Sequence, residues 1–166
     1  MNRRYGRDFY LDLVETLRCK IPDFCLSMDV MAGFPGEEEP HFENTLSLIG
    51  KTRPIRVHAF PYSRREGTRA ARFENLPESL LRERMRRLIQ CSQEVIQREK
   101  SSFLGRTLDV LVEKKSRGGF LQGHTAHYLK VAFEGPEESI GKTVRVRLEE
   151  ILEEEIRGVT EETTGG

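Results

Sequence analysis

The chain has 166 residues, of which 37% are hydrophobic and 33% charged, and its 27 Lys and Arg balance 27 Asp and Glu. This length suits one ordinary domain or two small ones, and no apolar run approaches the roughly 18–20 residues of a membrane span. The basic start MNRRYGRDFY has neither the apolar stretch nor the cleavage site of a secretory signal, so a cytoplasmic protein with no membrane partner is expected.

Asp8 to Lys20 places Phe9, Leu13, Val14 and Leu17 on one face at helical spacing, and Pro22 stops that helix. Residues 25–34 (CLSMDVMAGF) form a short, mostly apolar run with one acid, which predicts a parallel strand covered on both faces. Gly33, Pro35 and Gly36 make a turn. Glu37 to Glu39 suit the positive first turn of a helix, and Phe42, Leu46 and Ile49 continue its apolar stripe. RVHAFPYS (56–63) is a second strand, ended by the polar turn SRREGTRAAR. Helix, strand, turn, helix, strand is the order of an α/β fold with a parallel sheet. A long helix follows over about residues 78–102, with Leu81, Met85, Leu88, Ile89, Cys91 and Val95 inward and arginines outward.

Beyond Leu104 and Gly105 the period changes. RTLDVLVEKK, GFLQGHTAHYLKVAF and KTVRVRLEEIL each alternate, which predicts a small antiparallel β-barrel within about 60 residues. Charge is unevenly placed. Between Arg64 and Arg106 eleven Lys or Arg stand against six Glu, which suggests a surface for a polyanion. The acidic run LEEILEEEIRGVTEE reads as a solvated, fraying end, and TEETTGG as disordered.

GFPGE (33–37) sits where strand meets helix, at the strand end where α/β folds bind ligands. Its glycines permit close backbone approach, and the helix start favours an anion. It lacks the Lys-Ser/Thr of a phosphate loop, and taken alone a structural turn is the simpler reading. PYSRREGTRAA (61–71) ends the next strand on the same side. There Tyr62, Ser63, Arg65, Gly67 and Thr68 offer a ring, two hydroxyls and a guanidinium that suit a carboxylate or phosphate; the alternative is a solvated basic loop. His41 and His58 have no partner at ligand spacing and read as structural. Cys19, Cys25 and Cys91 match no zinc or iron–sulfur spacing and read as buried thiols, so no metal ligands and no catalytic residues are assigned.

In the C-terminal segment Lys114, Lys115, Arg117, Phe120, His124, His127, Tyr128 and Lys130 mix rings with cations. Small barrels bind single-stranded RNA with such sets, stacking bases and pairing phosphates. The alternative places Tyr128 and Phe133 in the core and leaves the lysines as ordinary surface.

Taken in order, MNRRY, SMDVMAGFPGEEEPHFENTL, VHAFPYSRREGTRAA, a long helix and IGKTVRV resemble the C-terminal half of the radical-SAM methylthiotransferases. The nearest branch is the one acting on threonylcarbamoyladenosine in tRNA, and residues from about 100 to 160 resemble its TRAM domain. The resemblance implies a (β/α)6 radical-SAM barrel with GFPGE at the end of the fifth strand and PYSRREGT at the end of the sixth. Gly33, Phe34, Pro35, Gly36 and Glu37 would then wall the S-adenosylmethionine pocket, and Tyr62, Ser63, Arg65, Gly67 and Thr68 its mouth, where the target base enters. GHTAHYLKV matches the TRAM core through Gly123, Tyr128, Leu129 and Val131. The departures are His127, where the family usually has Asn, and Pro40 and His41 in place of an acidic pair.

The family's two 4Fe–4S clusters need a CxxxCxxC motif and three further cysteines, none of which is present. The expectation is therefore a transferase fragment, inactive alone, from a truncated or split reading frame. Residues 1–76 would be the end of the radical-SAM barrel, 77–102 a linking helix, 103–160 the RNA-binding TRAM domain and 161–166 a disordered tail. Its partners would be the anticodon stem-loop of tRNA and the missing N-terminal portion. A stand-alone RNA-binding accessory is the alternative, and a phosphate-binding α/β domain a third reading.

Overall fold

The computed structural model describes residues 4–153 and 155–161. Residues 1–99 form one compact unit and residues 100–166 a second. The predicted disordered tail, 161–166, lies outside the described residues except for Glu161.

The first unit runs α1 (Arg7–Lys20), β1 (Ser27–Ala32), α2 (Glu39–Thr52), β2 (Arg56–Pro61) and α3 (Glu78–Ser101). β1 and β2 pair in parallel, joined by the α2 crossover, with Val30 opposite Ala59 and Ala32 opposite Pro61. Met28, Val30 and Ala32 share one sheet face with Val57 and Ala59, and this face meets Phe42 and Ile49 of α2 and Leu88 and Val95 of α3. Side chains of a strand alternate between faces. Ser27, Asp29 and Met31 therefore lie opposite Arg56, His58 and Phe60 on the other face, and Phe60 is 40% exposed. The expectation of a strand covered on both faces is thus corrected: the helices cover one.

Four side-chain expectations also change. Only Val14 of the α1 stripe is buried, and Phe9 and Leu13 are exposed. His58 lies exposed on the open sheet face, and Cys19 is exposed. On α3 the buried residues are Arg84, Leu88, Ser92 and Val95, while Ile89 faces outward. His41 acts in the local fold: its Nδ1 accepts from the backbone N–H of Glu38 at 3.1 Å at the start of α2. The helix begins at Glu39, so Glu37 stands before it and is free for another task.

That task is set by α3. Arg84, only 2% exposed, donates from Nη1 to the Glu37 carbonyl and to Glu37 Oε2, each at 2.8 Å. Its Nη2 reaches Glu39 Oε2 at 3.3 Å, and its guanidinium lies 5.3 Å from the Phe42 ring centroid. Arg87 repeats the contact one turn on, pairing with Glu39 at 2.6 Å and with Glu43. The hydrogen bond from Arg87 holds the Glu39 carboxyl below the usual carboxylate range.

The second unit contains β3 (Thr107–Lys115), β4 (Leu121–Thr125), β5 (Lys130–Phe133), β6 (Thr143–Ile151) and β7 (Ile156–Thr160), closed in the order β3-β4-β5-β7-β6. Val110, Val112, Leu121, Leu129, Val131, Phe133, Val146, Leu148 and Ile156 fill its interior. β5 and β7 pair in parallel, which corrects the all-antiparallel expectation. β7 also corrects the reading of the acidic run as a fraying end, because residues 156–160 complete the barrel. The middle alternating segment is two strands, broken by a turn at residues 126–129. Closure draws β3 and β4 close: a Cβ at Gly123 would sit 2.0 Å from the Leu111 carbonyl oxygen.

Arg84→Met strands Glu37 at a nearly buried site and is expected to cost on the order of 3 kcal/mol, read as faster hydrogen exchange at Val30 and Ile49. Equal protection in the variant would show that the pair contributes nothing. Gly123→Ala is expected to abolish exchange protection at Val110 and Val131; a variant barrel with wild-type protection would refute the close-packing argument.

Candidate substrate pocket and nucleic-acid interface

At the carboxyl ends of β1 and β2 the chain makes two turns that share one cavity of about 950 Å³. The first turn begins at Gly33, whose φ of 81° is left-handed and disfavours any side chain. Gly33 N–H donates to Glu37 Oε2 at 2.9 Å, and Glu37 N–H to the Phe34 carbonyl at 2.8 Å. Arg84 then holds Glu37 from α3. A Cβ on Gly33 would lie 2.3 Å from Leu81 Cδ1, so the open side of this glycine is filled by α3.

Of the five residues expected to wall a cofactor pocket, Phe34 lines the cavity. Gly33 and Glu37 shape the turn, Pro35 is buried and Gly36 is exposed with a φ of 82°.

Tyr62, Ser63, Arg65 and Thr68 of the second turn line the same cavity. Tyr62 N–H donates to the Ala32 carbonyl at 2.8 Å, which fixes this turn to the end of β1. The Phe34 and Tyr62 rings meet edge to face at 5.4 Å and 75°. Tyr62 Oη is buried, with no hydrogen-bond partner among the described residues. Thr68 works within the loop: its hydroxyl donates to the Arg65 carbonyl at 2.8 Å and accepts from Ala71 N–H at 3.3 Å. Gly67, with a φ of 79°, makes the bend but does not line the cavity.

Met31, Phe60, Pro61, Arg69, Ala70 and Phe73 complete the wall and were missed as site residues in the sequence. Met31 and Phe60 are paired in register on the open sheet face, a signal present in the strand alternation. Among the described residues no carboxylate pairs with Arg65 or Arg69. Aromatic walls, two guanidiniums and an unsatisfied phenol suit a planar heterocycle carrying an anionic group.

The eight residues expected to bind RNA lie in the second unit and fall at two ends of its barrel. Lys114, Lys115, Arg117 and Phe120 cluster around the β3–β4 loop. His127 and Tyr128 occupy the β4–β5 turn at the other end of β4, roughly 16 Å away by strand rise. His124 and Lys130 are register partners beside that turn.

Two of the cations are held by carboxylates, Lys115 by Glu137 at 3.2 Å and Lys130 by Glu155 at 3.3 Å, and His124 Nδ1 lies 2.9 Å from Glu113 Oε1. The exposed Lys115–Glu137 pair is worth about 0–1 kcal/mol, so a phosphate can replace its carboxylate at little cost. Lys114 and Arg117 have no ionic partner among the described residues. Arg157 of β7, absent from the sequence-derived set, lies 4.7 Å from the Phe120 ring centroid.

Phe133 is core, as one alternative held, but Tyr128 is 73% exposed. Its φ of 60° is left-handed, a conformation costing a non-glycine residue about 1–2 kcal/mol. Thr125 secures it. The buried hydroxyl accepts from His127 and Leu129 N–H at 3.2 Å each, and the Thr125 carbonyl accepts from Tyr128 N–H at 3.0 Å. The His127 ring packs on buried Phe103 at 5.2 Å, with its Nδ1 buried and unpartnered.

The thiols differ in kind. Cys19 is exposed, whereas burial pushes the Cys91 thiol up. At pH 8 a thiol reagent is expected to modify Cys19 first and Cys91 last by mass spectrometry; the reverse order would contradict the packing of α3 on α2. Among the described residues no three His, Cys, Asp or Glu side chains converge on a common point.

A family model for the TRAM domain matches residues 101–159. The tRNA-2-methylthio-N(6)-dimethylallyladenosine synthase of Bacillus velezensis is 38% identical over 162 residues, 96% of this chain and 32% of the relative. The threonylcarbamoyladenosine tRNA methylthiotransferase of Chlamydia pneumoniae is 39% identical over 160 residues, 95% of this chain and 38% of the relative. The Clostridium botulinum dimethylallyladenosine-type synthase is 40% identical over 151 residues, 89% of this chain and 34% of the relative. The chain therefore spans about a third of the length of the curated relatives it matches. By these matches residues 101–159 fit the TRAM-domain model, and most of the chain is similar to about a third of a tRNA methylthiotransferase.

Proposed function

We propose that the chain works in tRNA modification, as the substrate-facing C-terminal portion of a radical-SAM methylthiotransferase that acts on a modified adenosine beside the anticodon. Residues 1–76 supply the last two βα units of the catalytic barrel, 77–102 the linking helix and 103–160 the module that holds the anticodon stem-loop. The observation that carries this reading is the cavity shared by Phe34 from one strand end and Tyr62, Ser63, Arg65 and Thr68 from the next. Relatives of both nucleoside specificities match at 38–40% identity, so the similarity does not select between the two adenosines.

S-adenosylmethionine fits the character of this cavity, since its adenine needs aromatic walls and Tyr62 Oη lacks a partner. When bound, it supplies the sulfonium on which the family's chemistry depends. Phe34 and Tyr62 would hold a planar ring, and Arg65 and Arg69 would orient an anionic group at the rim. Arg84 acts through Glu37, keeping the first turn in one shape. The iron–sulfur clusters do not fit the described residues of this chain, whose ligating side chains do not converge, and are assigned to the N-terminal portion. A cytoplasmic location is part of this proposal. No helix among the described residues is long and apolar enough to cross a membrane.

Co-expressed with the N-terminal portion of a curated relative, the chain is expected to restore methylthioadenosine in tRNA, measured by mass spectrometry of nucleoside digests. Arg65→Ala should cut that yield at least about tenfold with thermal unfolding unchanged, given the weight of a charge-assisted contact. Co-purification of the two portions without any methylthiolation would overturn the reading. The chain alone, reconstituted with iron and sulfide, is expected to stay colourless. A stable charge-transfer band lost on mutating Cys19 or Cys25 would show that it holds a cluster after all.

A further inference from the structure

We propose that Tyr128 is a stacking platform for an unpaired RNA base, and that the β4–β5 turn, rather than the β3–β4 loop, makes the module's base contact. The inference rests on the RNA-binding reading given above and narrows it to one residue and one end of the barrel.

Three observations converge on this turn. Tyr128 is the one aromatic side chain of the second unit with an open ring, at 73% exposure. Phe103 and Phe133 are buried, and Phe120 lies half-buried beneath the Arg157 guanidinium. The Tyr128 backbone is held at a φ of 60° by a turn whose hydrogen bonds all run to Thr125 and which places the ring in water. The short hairpin turn calls for a left-handed residue here, and filling that position with an aromatic at 73% exposure presents the ring to a ligand rather than to the core.

The surroundings are polar rather than apolar. His127 packs against Phe103 at a tilt of 48°, and the Arg106 guanidinium lies over Phe103 at 5.0 Å. Lys130, paired with Glu155, and His124, beside Glu113, flank the turn. A single ring set among cations is too small for a protein docking patch. It suits a nucleobase, whose face stacks on an aromatic while neighbouring cations follow the phosphates.

The chain contains no tryptophan, so Tyr128→Trp introduces a single fluorescent reporter at the platform. With the full 166-residue chain and an unstructured RNA oligonucleotide, saturating binding is expected to quench that tryptophan. Tyr128→Phe should retain wild-type affinity. Tyr128→Ala and Tyr128→Gly should each lose about 5- to 150-fold, with the slope of affinity against salt unchanged because phosphate contacts remain. Glycine relaxes the left-handed backbone, so Tyr128→Gly should unfold at or above the wild-type temperature, which separates loss of binding from loss of fold. Unquenched tryptophan at saturation, or wild-type affinity in both Tyr128→Ala and Tyr128→Gly, would overturn the platform while leaving RNA binding intact. Failure of the wild-type chain to bind RNA at low salt would overturn both.

Discussion

Arg84 is the side chain on which the first unit's site depends. A guanidinium taken almost wholly out of water loses several kcal/mol of hydration, and only good geometry offsets that loss. Here the offset comes from one short stretch of chain: the Glu37 carbonyl, the Glu37 carboxylate and, more weakly, Glu39. The same Glu37 carboxylate accepts from Gly33 N–H, so a single ion pair joins α3 to both ends of the turn after β1. Hydrophobic contact between α3 and the sheet could tolerate sliding. The ion pair cannot, because its donors and acceptors must stay within hydrogen-bond reach. With the turn pinned, Phe34 projects toward Tyr62 and the cavity acquires two of its aromatic walls.

The open face of the sheet carries the complementary lesson. Its helices enclose Val30, Ala32, Phe42, Ile49, Leu88 and Val95, while Asp29, His58 and Phe60 remain in contact with solvent. A two-stranded parallel sheet is marginal by itself and depends on the helices that cover it. The exposed face leads directly into the cavity through Met31 and Phe60. The surface that would weaken an isolated domain is therefore also the floor of the candidate site.

In the second unit closure performs the corresponding function. β7 pairs with β5 on one side and β6 on the other, so no strand of this barrel is left with a free edge. Gly123 and Gly158 let neighbouring strands approach where a side chain would strike a carbonyl. A rigid barrel can in turn hold a short turn in an unfavourable conformation. The hydroxyl of Thr125, itself buried, is the local device that does so at Tyr128.

Much was determined by the sequence alone. The change of period near Leu104, the parallel β–α–β order, the long helix and the absence of cluster-spaced cysteines all follow from local pattern, and the GFPGE and PYSRREGT turns follow from glycine, proline and position. Composition misled where it averaged over neighbours. LEEILEEEIRGVTEE is acidic enough to read as a solvated end, yet Ile156 and Gly158 alternate inward and close the barrel. Arg84 looked like one of many surface arginines, because nothing local distinguishes it from Arg82 or Arg86; only Glu37, distant in sequence, draws it inside. Tertiary structure alone also decided which candidates meet. It joined Phe34 to Tyr62 and set the Lys114–Phe120 loop and Tyr128 at opposite ends of β4, because strand register converts sequence distance into direction and no single segment encodes it.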